Sequence, residues 1–145
     1  MYDLPRQLTA TELAELFEGR TRFVERLAAL ANPLGEARRV ARDLSDVEKR
    51  EVLDAHPAIG ARELSARSAL EQGGDDDPAV LAELARLNRD YEARFGFRFV
   101  VFVDGRSKAE IVPVLRRRLE RSREEELETA LDELVSIAQD RWRNP

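Results

Sequence analysis

The chain has 145 residues, no cysteine and one histidine, His56. These counts exclude disulfides, thiolate zinc sites, a cysteine nucleophile and a zinc site built from several histidines of one chain. The net charge of −5 gives no general attraction to phosphate backbones, so we expect no nucleic acid partner. No apolar run approaches the roughly 20 residues of a membrane span, and the first residues lack a signal-peptide pattern. We therefore expect a cytoplasmic protein with no membrane partner, folded as a single domain over residues 1–145.

Helical spacing of apolar residues dominates the first part of the chain. Thr11 is expected to cap a first helix that ends near Phe17. A second helix follows, and Asn32-Pro33 is expected to stop it, because proline disfavours helical geometry at the residue before it. Gly35 is then expected to open a third helix.

A fourth helix is predicted from the capping box Ser45-Asp46-Val47-Glu48. It must end near Ala55, because Pro57 disfavours helical geometry at His56. His56 then lies just past a helix C-terminus, whose partial negative charge favours the imidazolium form. This position suits a proton donor or acceptor near neutral pH. An exposed or helix-capping histidine is the alternative.

The next segment holds a second polar candidate, Ser68-Ala69-Leu70-Glu71-Gln72. If this segment is helical, its spacing places Ser68 and Glu71 on one face, with Gln72 adjacent. A hydroxyl, a carboxylate and an amide together can orient a polar heterocycle. The alternative is the polar face of a short surface helix.

A long helix is predicted from Asp77-Pro78 to Gly96, because these residues are typical of a helix start and a helix end. The run Phe97–Val103 is rich in β-forming residues, yet one extended segment cannot form a sheet alone. The predicted fold class is therefore all-α, a single compact helical domain with one extended loop segment near residues 97–103. That segment is either core or a backbone whose N–H and C=O groups bind side chains, water or a ligand.

Two more helices are predicted at the C-terminal end. Asp104-Gly105 makes a turn, a capping box runs from Ser107 to Glu110, and the last helix begins near Glu124. Ion pairs within one helix are expected to account for most of a basic cluster, with nucleic-acid binding as a weaker alternative. That cluster comprises Arg116, Arg117, Arg118, Arg121 and Arg123. Trp142 is expected to pack against the core or a partner subunit.

Four short motifs occur along the chain in an order typical of one family. They are His56-Pro57-Ala58-Ile59-Gly60-Ala61-Arg62, Ser68-Ala69-Leu70-Glu71-Gln72, Leu87-Asn88-Arg89-Asp90-Tyr91 and Phe95-Gly96-Phe97-Arg98-Phe99. In this order they resemble the 2-oxo-4-hydroxy-4-carboxy-5-ureidoimidazoline (OHCU) decarboxylases of purine breakdown. The resemblance covers essentially the whole chain.

The resemblance implies an all-α, homodimeric carboxy-lyase that needs no cofactor and no metal. Its substrate would be a small ureidoimidazoline, OHCU, converted to (S)-allantoin and CO₂ in uric acid degradation. By motif, His56 would be the general acid and Glu71 its partner. A neighbouring Glu71 carboxylate would also raise the pKa of His56, so we expect a protonated imidazole in the resting enzyme.

The same resemblance implies a set of residues that contact the substrate. These are Pro57, Ser68 and Gln72, the backbone of Phe99, Val100, Val101, Phe102 and Val103, and Arg141. The backbone would form hydrogen bonds with the polar edges of the ring, and Arg141 would bind a carboxylate or the ureido group.

Three positions depart from the family pattern. Ala58 replaces an aspartate, Arg98 replaces a proline, and Arg121 replaces an asparagine. These departures motivate one alternative function, a lyase acting on a related ureido compound. A second alternative is a non-catalytic helical protein of the same fold that binds a partner.

Overall fold

The computed structural model describes residues 7–59 and 77–144, and these residues contain seven helices and no strand. The helices are α1 (Ala10–Phe17), α2 (Arg22–Ala28), α3 (Pro33–Arg42), α4 (Asp46–Asp54), α5 (Pro78–Phe95), α6 (Lys108–Arg118) and α7 (Arg123–Arg143). The predicted all-α fold class is thereby confirmed. None of the described helices is long and apolar enough to span a membrane.

Side-chain caps set the starts of the helices. The capping boxes predicted at Ser45 and Ser107 are both present. The predicted cap at Thr11 is wrong, because Thr9 caps α1 and exchanges hydrogen bonds of 3.0 and 3.1 Å with Glu12. The Thr-x-x-Glu spacing required for a reciprocal box starts two residues earlier than we expected.

The start of α3 also differs from the prediction. The helix begins at Pro33 rather than at Gly35, and the Asn32 side chain accepts a hydrogen bond of 3.2 Å from the amide of Gly35. Asn32-Pro33 therefore begins a helix, with proline at the first helical position, where a missing N–H costs least. The preceding helix, α2, already ends at Ala28.

The longest helix, α7, packs against α1, α3 and α4, while α5 packs against α6. The side of α5 that faces the core carries Leu84, Leu87, Tyr91 and Phe95, which are all buried. Trp142 is partly buried and packs against the core, as one of the two expectations for it required. One hydrophobic cluster thus includes residues from all seven helices.

Gly96 ends α5 with a left-handed φ of 80°, as its position predicts. Residues 97–103 then run to α6 as neither helix nor strand, in agreement with the predicted loop segment. Phe97 and Phe99 are buried against Tyr91, with ring centroids 5.9 and 5.2 Å from the tyrosine ring. The segment is thus held partly by aromatic packing against α5.

A buried carboxylate joins the C-terminal helices. Glu126 of α7 is fully buried and accepts hydrogen bonds from Tyr91 at 2.6 Å, Arg118 Nε at 2.7 Å and Arg121 Nη1 at 2.9 Å. Burial and the hydrogen bond to this carboxylate raise the pKa of Tyr91 well above its usual range. One side chain therefore connects α5, the end of α6 and α7.

The basic cluster forms its ion pairs mainly between elements, which corrects the expectation of pairs within one helix. Arg118 and Arg121 pair with Glu126, and Arg123 Nη1 pairs with Asp46 of α4 at 2.9 Å. The reason is the break between α6 and α7, which separates these arginines onto different elements.

Replacing Glu126 by alanine is expected to destabilise the protein by about 3–5 kcal/mol, because the Arg118 charge stays buried without its partner. The matched control is Glu128→Ala on the same helix, whose side chain is 63% exposed in its pair with Arg42. That variant should change the free energy of unfolding by only about 0–1 kcal/mol. Urea denaturation of both variants measures the difference, and equal losses would contradict the role assigned to Glu126.

Candidate functional site

His56 lies where the sequence places it, two residues past the end of α4. The helix ends at Asp54, and the His56 amide donates a hydrogen bond of 3.2 Å to the carbonyl of Leu53. The residue is only 7% exposed, which rules out the alternative of an exposed histidine. Its Nδ1 atom is buried and has no hydrogen-bond partner among the described residues. The imidazole therefore holds a buried polar atom whose hydrogen-bonding capacity is not used by the described residues.

The expectation of a protonated His56 is wrong. Burial is the largest cause that lowers the pKa of His56 from 6.5 to about 4, and the positive charges of Arg141 and Arg98 contribute to this shift against a raising effect of Glu18. An imidazolium ion loses its hydration when it is buried, and the partial charge of one helix end does not compensate for that loss. At neutral pH the side chain is accordingly a neutral imidazole.

Arg141 and Glu18 form an ion pair beside His56. The Arg141 side chain is fully buried, and its Nη1 atom lies 3.1 Å from Glu18 Oε1 and 3.1 Å from the carbonyl of Leu16. Glu18 caps α1 in a left-handed conformation, with φ of 66°. The pair places an arginine near the candidate imidazole, as the resemblance implies for Arg141.

A close approach between two helix ends brings this pair to His56. A Cβ atom built on Gly19 would lie only 3.2 Å from the Cβ of Ala55, so the chain after α1 passes directly over the end of α4. Sequence reasoning missed Glu18, because its place depends on this contact and on the packing of α7 against α1. The spacing of polar residues along the chain carries no signal for it.

Residues 99–103 form a second part of the candidate site. The carbonyl of Val100 accepts a hydrogen bond of 2.8 Å from Arg118 Nη1, and that of Phe102 accepts one of 2.7 Å from Arg106 Nη2. The amide of Phe102 donates to Glu133 Oε1 at 3.4 Å. Side chains thus satisfy part of this backbone, as the lack of a strand partner requires.

Arg98 connects His56 to this segment. Its Nη1 atom donates hydrogen bonds to the carbonyls of His56 at 2.6 Å and Asp54 at 3.1 Å. Sequence reasoning identified Arg98 only as a departure from the family pattern. Arg121, another departure, binds Glu126 and Thr129. Both substitutions therefore make contacts within the protein, which weakens the case that they signal a different substrate.

The remaining predicted residues fall into two groups. Pro57 is partly buried directly after His56, and the buried Asn88 of α5 holds the following turn by donating to the carbonyl of Ile59 at 3.1 Å. Ser68, Glu71 and Gln72 lie outside the described residues. Within residues 7–59 and 77–144, no group of three or more acidic or histidine side chains could hold a metal ion.

The sequence of the chain matches a known protein family. The family model for OHCU decarboxylase matches residues 3–143. The chain belongs to the OHCU decarboxylase family. The family resemblance seen in the sequence motifs is thereby confirmed.

Relatives in the family come from distant organisms. The chain is 34% identical over 107 residues to a 2-oxo-4-hydroxy-4-carboxy-5-ureidoimidazoline decarboxylase of Haloferax volcanii, a match that covers 70% of this chain. It is 32% identical over 153 residues to the uric acid degradation bifunctional protein PucL of Bacillus subtilis, a match that covers 95% of this chain. The chain spans 64% of the length of the first relative and 31% of the second.

Solved structures of the family share the fold. A crystal structure of OHCU decarboxylase in the presence of (S)-allantoin matches with a TM-score of 0.75 at 25% identity, over 90% of this chain and 94% of that chain. A crystal structure of (S)-allantoin synthase matches with a TM-score of 0.66 at 23% identity, over 91% of this chain and 47% of that chain. The helical architecture is therefore that of the family.

The pKa of His56 is directly measurable, because the chain has only one histidine. Titration of its imidazole resonances by NMR is expected to give a pKa well below 6.5, near 4. A measured pKa at or above 6.5 would overturn the neutral state assigned to the buried imidazole.

The lowered pKa of His56 should also make the free energy of unfolding depend on pH. The unfolded chain binds a proton on His56 near pH 6.5, whereas the folded chain does so only near pH 4, so the folded state loses stability as the pH falls between these values. The stability of the wild type relative to His56→Asn is expected to decrease by ~3 kcal/mol over this range. Urea denaturation of both proteins between pH 7 and pH 4 measures the change, and taking the difference removes the contribution of the carboxylates.

Proposed function

We propose that this chain catalyses the decarboxylation of OHCU to (S)-allantoin, without a cofactor. The observation that carries the proposal is the buried His56, whose Nδ1 has no partner among the described residues and which lies beside the Arg141–Glu18 pair. Membership of the OHCU decarboxylase family supports the choice of substrate. The reaction is one that a neutral imidazole and a nearby cation can catalyse.

The reaction needs an acceptor for the electrons of the departing carboxylate. The bond between the carboxylate carbon and the ring carbon breaks, CO₂ leaves, and the electron pair moves toward the C=N bond of the substrate, whose nitrogen takes up a proton. His56 has already removed the hydroxyl proton of the substrate before this step, so the resulting enolate gains that proton at the neighbouring ring carbon to give allantoin. A carboxylate substrate takes up one proton overall, and no oxidant or reductant is consumed.

The neutral state of His56 refines its role as general acid. An imidazole with a pKa near 4 is in its neutral form at neutral pH and is too weak an acid to protonate the substrate, so it first accepts the hydroxyl proton of the substrate and then delivers it to the ring carbon. Holding the imidazole on one side of the ring allows a single enantiomer to form. Glu71 would be the partner of His56 in this transfer, and Pro57, Ser68 and Gln72 would line the substrate.

Arg141 supplies the positive charge for the substrate. A guanidinium group that is fully buried binds a carboxylate or a ureido oxygen through charge-assisted hydrogen bonds. The same positive charge disfavours protonation of His56 before the anionic substrate arrives. Arg141 therefore recruits the substrate and, together with burial as the larger cause, keeps the resting imidazole neutral.

The backbone of residues 99–103 reads the polar edges of the ring in this proposal. Val101 and Val103 are buried, and within the described residues their amide N–H groups have no hydrogen-bond partner. A buried amide without a partner favours a ligand that offers an acceptor. The carbonyl and urea oxygens of the substrate are such acceptors.

The assembly in this proposal is a homodimer of single-domain chains, as the sequence resemblance implies. Size-exclusion chromatography with light scattering distinguishes the dimer mass from the 16.5 kDa of one chain.

The activity is tested by adding the protein to OHCU freshly formed by uricase and hydroxyisourate hydrolase. We expect (S)-allantoin, followed by circular dichroism, to form faster than by spontaneous decay of OHCU. His56→Asn should lower the rate constant by about 10²–10⁴-fold, because proton transfer by a positioned side chain is lost.

Two controls accompany this assay. Far-UV circular dichroism of His56→Asn should show unchanged helical content, and Glu128→Ala, an exposed substitution on α7, should keep full activity. If the wild type does not exceed spontaneous decay, the proposed function is wrong and the non-catalytic alternative gains support.

A further inference from the structure

Arg98 holds the end of α4 through both its backbone and its side chain. Its amide donates a hydrogen bond of 3.0 Å to Asp54 Oδ1, while its Nη1 atom donates to the carbonyls of Asp54 at 3.1 Å and His56 at 2.6 Å. Its Nε atom lies 3.4 Å from Glu92 Oε1 of α5, which fixes the other side of the guanidinium. Three side-chain contacts and one backbone contact therefore hold Arg98 between α4 and α5.

The acceptors that Arg98 binds are those that a helix end leaves open. The last carbonyls of a helix have no partner within the helix, and a cation there also interacts favourably with the helix dipole. The turn that carries His56 leaves α4 at this point. Without Arg98, the carbonyl of His56 would need a hydrogen bond from water. A planar guanidinium can donate to two carbonyls at once, which defines their relative position more tightly than a single contact would.

We infer that Arg98 is a positioning residue for His56, which it fixes in register with residues 99–103. The inference rests on the proposed function, since it assigns Arg98 to the same site. Arg98 directly precedes Phe99, so its backbone leads into residues 99–103 while its side chain binds the His56 turn. One residue thus sets the distance between the proton-transferring group and the backbone that reads the substrate.

The charges that act on His56 provide a readout of this contact. Arg141 and Arg98 disfavour the imidazolium form, and Glu18 favours it. Removing the guanidinium takes away one of the two positive charges and loosens the turn that keeps the ring buried. Both effects raise the pKa of His56.

The test compares Arg98→Ala and Arg98→Lys with Arg94→Ala. Arg94 is the matched control, because it is also an arginine that donates to a backbone carbonyl, that of Arg121 at 3.2 Å, and it is not among the charges acting on His56. NMR titration of the single histidine is expected to give a higher pKa in Arg98→Ala than in the wild type. Arg98→Lys retains the charge, so its pKa should stay closer to that of the wild type, and Arg94→Ala should match the wild type.

Kinetics separate positioning from binding. In the OHCU assay, Arg98→Ala is expected to lower kcat by about 10–100-fold, because a misplacement of about 1 Å is enough for such a loss. KM should change by less than about twofold, since the residue does not contact the substrate. Arg98→Lys should recover part of kcat, and Arg94→Ala should keep the wild-type values.

The possible outcomes distinguish the two proposals. If His56 has the same pKa and chemical shifts in Arg98→Ala and in the wild type, or if kcat is unchanged, the positioning role is wrong. If Arg98→Ala does not fold, Arg98→Lys carries the test, and wild-type kcat together with wild-type shifts in that variant would overturn the role of the two-carbonyl contact. An inactive wild type would refute the proposed function alone, because the NMR comparison requires no activity.

Discussion

The buried carboxylate of Glu126 is the contact on which the C-terminal part of the fold depends. It is fully buried and neutralises the charge of Arg118, which in turn holds the carbonyl of Val100. Without that carboxylate, the arginine would be a buried cation held only by the carbonyl of Val100 and the rings of Tyr91 and Phe99, which the interior of a protein does not tolerate well. The position of residues 99–103 thus depends on an acidic residue that lies more than twenty positions further along the chain.

Arginines replace the missing sheet partner of this segment. In a β-sheet the carbonyls of an extended segment would accept hydrogen bonds from a neighbouring strand. Here Arg118 binds Val100, and Arg106 binds Phe102 and Val103 at 2.7 and 3.0 Å. Arg98 likewise donates a hydrogen bond from its guanidinium group to the carbonyl of His56, in the turn after α4. Guanidinium groups suit this task, because each one presents several donors in a fixed plane.

Local patterns predict the parts of this structure that depend on neighbouring residues in the sequence. The capping boxes at Ser45 and Ser107, the end of α5 at Gly96 and the interruption at residues 97–103 could all be predicted, because each follows from a few adjacent residues. The ionisation state of His56 could not be predicted, since it depends on burial and on Arg141, which reaches the site through the packing of α7. Glu18 and the side-chain contacts of Arg98 were missed for the same reason.

The charges near His56 suit a site that changes its protonation behaviour when an anion binds. In the free protein two arginines and burial favour the neutral imidazole, and Glu18 offsets this only in part. In the proposed reaction, the substrate carboxylate would balance the charge of Arg141 and so make the imidazolium less unfavourable at the moment when the ring must accept a proton. CO₂ then leaves as a neutral molecule and the electron pair stays on the ring, while burial and the neighbouring arginines favour release of the proton from the imidazolium. The same electrostatic arrangement thus favours uptake of the proton before decarboxylation and its delivery to the ring carbon afterwards.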